Sequence, residues 1–340
     1  MRILLVYADV NNGSSFYRLQ MPHHFIEDTE KDIQVFSCDK PEELDEYSYD
    51  FVLFSRSVNL EGRTEEIISK IQKQTKVIID IDDYWKLNKN HLLYSDYKEK
   101  GISEQMETGL RMADGVICTT NYLANHIRKI NNKCWVIPNA VYPEKYEQFK
   151  DNRQEHMEKL RLGWLGGVCH VEDIELLYSL AQWVNNKKMP VKFCFSYNEN
   201  EVYNYYKRVI TANYCNDFEP LHTKNVYEYA YDYSKFDIAL APLVYNSFNI
   251  CKSELKVIEA GFHKKALIAS ATPPYTDILN KKNSILCRTP NDWINAVYFL
   301  LKNPDKIVEL GEQLYKDVQR YHVKNTHEKR MKCYAEIAKL

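Results

Sequence analysis

The segment LAPLVYNSFNICKSELKVIEAGFHKKALIAS, residues 240–270, contains the most informative pattern in the chain. It predicts a strand that ends at Pro242, a loop, a helix that begins near Lys252 and Ser253, and a second strand after Gly261. Ser253 is of a type that caps helix N-termini, where backbone N–H groups lack partners and the helix dipole is positive. A strand–loop–helix–strand unit of this kind is a building block of parallel α/β sheets.

The same alternation extends over most of the chain. Short apolar segments rich in β-branched residues predict strands at Ile3–Tyr7, Ile33–Phe36, Phe51–Phe54, Val77–Asp80, Gly115–Cys118, Cys134–Ile137, Leu160–Leu165, Val191–Phe195, Asp237–Leu240, Ala266–Ser270 and Ser284–Cys287. Amphipathic segments between them predict helices that include Thr64–Gln74, Asn121–Ile130, Ile174–Val184, Ser253–Phe262 and Asp292–Leu301. Two such series, separated by a charged segment with two prolines at 138–160, predict an α/β protein with two Rossmann-like, doubly wound domains.

Length and composition agree with this organisation and exclude several classes of protein. A chain of 340 residues suits two domains of about 150 residues each. The net charge of −2 argues against a nucleic-acid-binding protein, which would carry a basic surface. No apolar run is long enough to predict a membrane span, and the start MRILLVYADV lacks a signal-peptide cleavage pattern. Nine cysteines without a CxxC pair predict free thiols and a cytoplasmic setting.

The chemistry of the segment 240–270 suits a ligand with phosphates and a diol. A helix N-terminus beside Lys252 favours a diphosphate, because free N–H groups and a positive side chain converge there. The carboxylate of Glu259 can accept two hydrogen bonds, as a ribose 2′,3′-diol would require. Spacing alone is equally consistent with an ordinary amphipathic helix that exposes Glu259 to solvent.

A second segment, RLGWLGGVCHVED at residues 161–173, predicts a strand, a turn at Gly166–Gly167 and a helix that begins near Val171 or Glu172. Glycines permit close approach of a ligand to the backbone, although a tight strand–helix turn would also use them. His170 is at this predicted helix start, where it is either a ligand-contacting side chain or an ordinary helix-start residue.

The first of these segments resembles the donor-binding segment of GT-B glycosyltransferases related to the retaining family 4. The shared pattern F-N-x-x-K-S-x-L-K-x-x-E comprises Phe248, Asn249, Lys252, Ser253, Leu255, Lys256 and Glu259. The element G-W-x-G-x-x-x-H-x-x-D is similar at Gly163, Trp164, Gly166, His170 and Asp173. Much of that family has a second Glu eight residues before Glu259, where this chain has Cys251.

The resemblance implies a nucleotide diphosphate sugar as donor substrate, with no separate cofactor. Glu259 would hold the nucleotide ribose, Lys252 and Ser253 would face the diphosphate, and Gly166 and Gly167 would line it. His170 would reach a phosphate or the sugar. The segment ASATPPYTDI, residues 269–278, would close over the nucleotide, with Thr272 and Tyr275 as candidates; a Pro-Pro turn without a ligand is the alternative.

The resemblance also divides the chain. IPNAV at residues 137–141 matches the end of the family's first domain, which places an acceptor-side domain at 1–141 and a donor domain at 142–319, with a C-terminal helix at 320–340 packed back on the first. The loop NNGSSFYR, residues 11–18, would lie at a cleft between the domains. Gly13 would approach a ligand there and Arg18 would meet a phosphate or an acidic acceptor, unless Arg18 forms a surface salt bridge.

VIIDIDDYW, residues 77–85, contains a D-x-D pattern that could bind a divalent metal in a different class of glycosyltransferase. We expect instead an acceptor-side or structural role for Asp82 and Asp83, and no metal site. His91 would lie near the same cleft and, with Asp83, would be a candidate base in an inverting enzyme.

Taken with the resemblance, the sequence predicts a glycosyltransferase, retaining and metal-independent, whose catalytic candidates are Lys252, His170 and His91. The acceptor would be a hydroxyl of a glycan, a lipid-linked saccharide or a protein, and docking to a membrane surface stays open. The alternatives are a non-catalytic module that binds a nucleotide or glycan and a nucleotide-sugar epimerase of GT-B fold. The sequence does not identify the oligomeric state.

Overall fold

The protein contains two compact α/β units, each with its own sheet. The computed structural model describes residues 1–7, 9–39, 49–59, 61–150, 158–212 and 217–340. The first unit comprises Met1–Tyr142, Ile250–Ser253 and Tyr321–Leu340, and the second comprises Pro143–Asn249 and Glu254–Arg320. The bounds predicted from the sequence, 1–141 and 142–319, do not include the four residues Ile250–Ser253 in the first unit.

In the described part of the chain, short strands alternate with helices. The strands are β1 Arg2–Val6, β2 Gln34–Cys38, β3 Phe51–Ser55, β4 Lys76–Ile81, β5 Gly115–Cys118, β6 Cys134–Val136, β7 Leu160–Trp164, β8 Val191–Tyr197, β9 Phe218–His222, β10 Ile238–Ala241, β11 Ala266–Ser270 and β12 Ile285–Cys287. The helices are α1 Met21–Thr29, α2 Thr64–Ile71, α3 Tyr94–Glu99, α4 Ile102–Met112, α5 Asn121–Ile127, α6 Val171–Glu175, α7 Tyr178–Asn186, α8 Glu201–Ile210, α9 Leu255–Phe262, α10 Pro273–Thr276, α11 Pro290–Lys302, α12 Asp305–Val318 and α13 Val323–Ile337.

The sheet of the first unit has the order β2-β1-β3-β4-β5-β6, and its strand pairs are parallel. Its central strands are buried along their length, as the almost continuously apolar sequence of Val77–Ile79 requires. The chain winds outward from β1 in both directions, so the topological switch point lies between β1 and β3.

The C-terminal helix α13 completes the core of the first unit. Tyr334 stacks on Phe51, with ring centroids 5.4 Å apart, and Ile337 is fully buried. A Cβ atom at Gly115 would lie 2.6 Å from Cδ1 of Ile337, so only glycine lets strand β5 and helix α13 approach this closely. Reciprocal backbone bonds at Val141 join the end of the first series to the start of α13.

The sheet of the second unit has the order β12-β11-β10-β7-β8-β9, again with parallel pairs. Trp164, Phe195, Tyr206 and Trp293 are among the large side chains of its core. The chain winds from β7 toward β9 and then from β10 toward β12, which puts the switch point between β7 and β10.

The predicted α/β architecture and all eleven predicted strands are confirmed, whereas one strand is missed and two helix predictions are wrong. Strand β9 was not predicted, the predicted helix Ile174–Val184 is divided into α6 and α7, and α9 begins at Leu255 rather than at Ser253. Of the segment predicted as a linker, 151–157 lies outside the described residues, and its described part buries Phe149 in the second unit.

Candidate functional site

The switch point of the second unit lies at the carboxyl ends of β7 and β10, where open parallel sheets bind their ligands. The turn after β7 contains Gly166 and Gly167. A Cβ atom at Gly166 would lie 2.3 Å from the Trp164 ring, and the Gly166 N–H already donates to Ser196 Oγ at 3.0 Å. At Gly167 a Cβ would meet no heavy atom within 4 Å. Gly166 therefore has a packing role, and Gly167 is the glycine that a ligand can approach.

Asp173 connects the two loops of this switch point. Its Oδ2 accepts a hydrogen bond from His170 Nδ1 at 2.7 Å. Its Oδ1 accepts from the backbone N–H of Val244 at 2.7 Å and from Asn249 Nδ2 at 3.2 Å. The Asp173 side chain is 4% exposed, so these bonds stabilise a carboxylate largely removed from water. The Asp173 carboxylate thus fixes the loop after β10 against the start of α6.

The same carboxylate orients His170. Because the Asp173 carboxylate can only accept, Nδ1 of His170 carries a proton. In the neutral ring, Nε2 is then a hydrogen-bond acceptor. The His170 backbone N–H donates to the Tyr206 hydroxyl at 2.9 Å, which also fixes the main chain. The His170 side chain is 22% exposed and α6 begins at Val171, as predicted.

Glu259 is fully buried on α9, and the interpretation of an amphipathic helix with Glu259 in solvent is therefore wrong. Its Oε2 accepts from the Tyr233 hydroxyl at 3.0 Å and from Lys256 Nζ at 3.1 Å. The Tyr233 ring stacks on His263, with centroids 4.7 Å apart and planes 3° apart. Glu259 is thus held in a defined position by a phenol and an ammonium group.

Two further candidates follow β11. Thr272 precedes α10, and its Oγ1 is buried with no hydrogen-bond partner among the residues that the structure describes. Burial raises the pKa of the Tyr275 hydroxyl, and the negative charges of Asp173 and Glu259 raise it further. Tyr275 therefore stays a neutral phenol that can donate a hydrogen bond.

The switch point of the first unit carries a network of charged side chains. Arg56, which follows β3, donates to Asp82 Oδ1 at 2.6 Å and to Asp83 Oδ2 at 2.9 Å. Ser14 Oγ donates to Asp82 Oδ1 at 2.9 Å, and Lys252 Nζ lies 3.2 Å from Asp83 Oδ1. This network gathers the segments after β1, β3 and β4 together with the Ile250–Ser253 segment.

The hydrogen bonds of this network stabilise a backbone conformation of Arg56 that is unfavourable by itself. Arg56 has φ +63°, in the left-handed region that side chains other than glycine rarely adopt. Partial burial opposes its charge, but Asp82 and Asp83 outweigh that effect and raise the pKa of its guanidinium. Within the described ranges, no group of three or more His, Cys, Asp or Glu side chains is arranged to hold a metal ion.

Several solved structures are similar to this chain over most of its length. TarM matches at a TM-score of 0.64 and 16% identity over 84% of this chain, and the chain spans 54% of the length of TarM. Sucrose-phosphate synthase from Thermosynechococcus elongatus matches at 0.69 and 13% identity, over 99% of this chain and 98% of that one. HepE from Anabaena in complex with UDP-glucose matches at 0.67 and 11% identity, over 99% of this chain and the whole of HepE. No family model and no curated protein sequence matches the chain.

The chain has the GT-B fold. Its two six-stranded parallel sheets, each with helices, match the GT-B structures. No helix in the described part of the chain is long and apolar enough to cross a membrane.

Two residues predicted to meet the ligand of this GT-B protein are engaged differently. Arg18 is fully buried, donates to Asp80 at 2.6 Å and also bonds the Ile137 carbonyl and Asn139. It is therefore not a surface salt bridge, and a contact between Arg18 and a ligand stays a prediction. Ser253 does not cap α9; Glu254 precedes that helix without a side-chain cap, and Ser253 Oγ accepts from Asn139 Nδ2 at 2.9 Å instead.

The remaining predicted residues lie in loops. A Cβ at Gly13 would meet nothing within 4 Å, which leaves the backbone after β1 open to a ligand. His91 is half-buried between β4 and α3, and its Nδ1 accepts from the Leu93 N–H. Asp173 and Asn249 belong to the two sequence patterns of the family resemblance, but the sequence assigns a role to neither of them, and no sequence pattern indicates Tyr233.

Proposed function

We propose that this protein is a glycosyltransferase that moves a sugar from a nucleotide diphosphate sugar to an acceptor hydroxyl. The observation that carries the proposal is the Asp173 network at the switch point of the second unit, which joins the loops after β7 and β10. A ligand at that crevice would meet the open Gly167 turn and the fixed His170 ring. GT-B structures similar to this chain include HepE in complex with UDP-glucose, which supports a nucleotide-sugar donor.

In this proposal the second unit holds the nucleotide. Glu259 binds the ribose hydroxyls, with its carboxylate held in place by Tyr233 and Lys256. The buried hydroxyl of Thr272 and the neutral phenol of Tyr275 supply further hydrogen bonds to the ligand. A vicinal diol suits a carboxylate acceptor better than it suits an amide, because the carboxylate accepts both hydrogen bonds with charge assistance.

The chemical step requires stabilisation of the leaving diphosphate. From the family resemblance we assign Lys252, a residue of the first unit, to that charge. In the second unit we assign the Gly167 N–H to a phosphate oxygen and the Nε2 atom of His170 to a sugar hydroxyl, from which it can accept a hydrogen bond. Retention of the anomeric configuration and independence of a metal are proposed from the family resemblance. If the reaction is inverting, His91 or Asp83 would be the base. The acceptor would be a glycan, a lipid-linked saccharide or a protein.

Thermal unfolding with UDP, GDP, ADP, CMP and TDP, each with and without Mg²⁺, tests the donor site. A ligand at 100 times its Kd stabilises the folded state by about 2.7 kcal/mol, so one nucleotide should raise the Tm without metal. Glu259→Gln should lose most of that rise, whereas Glu199→Gln, an exposed carboxylate of the same unit, should keep it. A rise that needs Mg²⁺ would favour the D-x-D interpretation, and equal rises in both variants would remove Glu259 from the site.

Product analysis separates the three functional classes. A transferase should release nucleoside diphosphate from the preferred donor, slowly with water and faster with acceptor. A binding module would show the Tm rise without any release, and an epimerase would convert the donor to an isomer with no acceptor present. Either of the last two results would overturn the proposed reaction.

A further inference from the structure

A groove in the second unit runs along the outer edge of strand β12, on the side away from β11. Helix α11 forms its other wall, and its volume is about 550 Å³. None of the residues that line this groove belongs to the donor proposal. It is lined by Lys281, Ser284, Ile285, Leu286, Arg288, Asp292, Asn295, Ala296 and Phe299.

The floor of the groove is a sheet edge with unpaired backbone. Cys287 O accepts from Ala271 N on the β11 side, and backbone groups alternate sides along a strand. The N–H and C=O of Leu286 therefore point to the outer edge. Among the described residues no strand pairs with that edge, because β12 ends the strand order of its sheet.

The rim of the groove is positively charged. Lys281 precedes β12 and Arg288 follows it, so the strand lies between two exposed cationic side chains. Neither side chain has an ion-pair or hydrogen-bond partner in the part of the chain that the structure describes. The acidic residue of the groove, Asp292, accepts from the Arg288 and Thr289 N–H groups at 2.8 Å each and completes the cap of α11. These backbone bonds and the Arg288 charge lower its pKa, so two cationic side chains stand against one carboxylate at the rim.

Apolar surface lies between the charges. Phe299 is 44% exposed, and the partly buried Ile285 and the buried Ala296 continue the apolar surface toward the core. A groove between an edge strand and a helix, with an apolar centre and charged ends, has the features of sites that bind an extended peptide by strand addition.

We propose that this groove binds an extended segment of a protein partner that adds to β12 as a further strand and carries acidic side chains at its ends. Main-chain bonds to Leu286 hold the segment, an apolar side chain packs against Phe299 and Ala296, and carboxylates pair with Lys281 and Arg288. Charge complementarity selects an acidic partner, and the open backbone edge selects a polypeptide over an acidic saccharide, which has no matching N–H and C=O repeat.

A positional-scanning library of labelled octapeptides, with binding measured by fluorescence anisotropy, tests the proposal. We expect enrichment of Asp and Glu toward the ends and of an apolar residue between them. The double variant Lys281→Glu/Arg288→Glu should bind the best peptide at least tenfold more weakly. A matched double reversal at exposed sites of the same unit, Lys187→Glu/Lys316→Glu, should bind it as the unaltered protein does.

The contribution of the β12 backbone to peptide binding is tested separately. Leu286→Pro removes the outward N–H at an edge position where proline is tolerated, and should weaken binding at least tenfold. N-methylation of alternate amides in the peptide should do the same without altering the protein, which covers a variant that fails to fold. The proposal would be overturned if the library selected basic or uncharged peptides, or if the control reversal weakened binding as much as Lys281→Glu/Arg288→Glu. It would also be overturned if the methylated peptide bound as well as the unmethylated one, or if an oligogalacturonate of the same charge competed equally well.

Discussion

The two sheets place polar clusters at corresponding positions, the carboxyl ends of strands at the switch point, but they balance charge in different ways. In the first unit, Asp82 and Asp83 are neutralised by the cations Arg56 and Lys252 at a partly exposed site. In the second unit, Asp173 is held by neutral donors, a backbone N–H and the Asn249 amide, together with His170.

The comparison shows what each cluster is able to do. Charges paired with charges on a partly exposed surface can exchange partners at low cost, because water and other ions compensate either arrangement. A buried carboxylate with neutral donors cannot be rearranged without leaving unsatisfied groups. The first cluster is therefore suited to respond to a charged ligand, and the second is suited to hold loops in a fixed geometry.

Four predictions concern the charged and polar side chains of the two units, and they follow in order of expected effect.

The largest effect is expected at a third acid of the first unit, Asp80, which belongs to the same run as Asp82 but is fully buried between Arg18 and Arg330. Asp80→Asn leaves two buried guanidinium groups without an anion, which should lower the free energy of unfolding by about 3–5 kcal/mol. Urea unfolding measures this. The exposed Asp96→Asn is the control, and a loss below 1 kcal/mol for Asp80→Asn would show that Arg18 and Arg330 do not depend on it.

Lys252→Met should separate catalysis from stability. If Lys252 stabilises the leaving diphosphate, its loss should lower turnover by about 10²- to 10³-fold, as for removal of one transition-state donor. The partly exposed pair with Asp83 contributes about 0–1 kcal/mol to folding, so Tm should change little. Steady-state kinetics at saturating donor are the measurement, with Lys256→Met as a second lysine variant. Unchanged turnover in Lys252→Met would exclude the diphosphate role.

Asp173→Asn should disturb the second unit without removing side-chain volume. The amide accepts at only one of the two former oxygen positions, so either the His170 Nδ1 proton or both Val244 N–H and Asn249 Nδ2 lose their acceptor, at a cost of about 1–3 kcal/mol. We also expect a weaker nucleotide-induced Tm rise, because the loop after β10 loses its anchor. Glu199→Gln should show neither change, and a full nucleotide response in Asp173→Asn would make the network purely structural.

The smallest effect concerns acid sensitivity in the first unit. Burial lowers the pKa of His23 well below its usual value, and the positive charge of Arg330 lowers it further. The folded state therefore keeps His23 neutral while the unfolded chain binds a proton below about pH 6.5. Stability should fall as pH drops from about 6.5 toward the folded pKa, by up to about 1.4 kcal/mol per pH unit. His23→Gln should flatten that slope, and an unaltered slope would assign acid sensitivity to other groups.

The sequence allowed the fold to be predicted because strands buried on both faces are continuous apolar segments, as in Ile78 and Ile79 of β4. Strand β9 does not have such a continuous apolar sequence. It lies at a sheet edge, includes Pro220, and buries only Leu221 among its five residues, so its sequence resembles a loop. The strand orders, and hence both switch points, follow from tertiary packing that no local pattern specifies.

The site was only partly predictable for a related reason. The residue types at Glu259 and His170 indicated their chemistry, but burial and partner choice depend on distant segments. Arg18 illustrates this, because its partners Asp80 and Ile137 are 62 and 119 residues away in sequence. Ser253 has the right side chain for a helix cap, yet it pairs with Asn139, 114 residues away, and the helix begins two residues later.

The position of α13 in the first unit has a consequence for biosynthesis. Cys333, Tyr334 and Ile337 fill the core of a sheet whose strands end at residue 136. At translation rates of about 5–20 residues per second, the segment from Tyr142 to Tyr321 takes roughly 10–35 s to emerge. Throughout that interval the nascent first unit exposes the apolar surface that α13 later covers. The core of the first unit is therefore complete only after α13 has been synthesised, and a ribosome-bound chaperone could bind the exposed apolar surface until then.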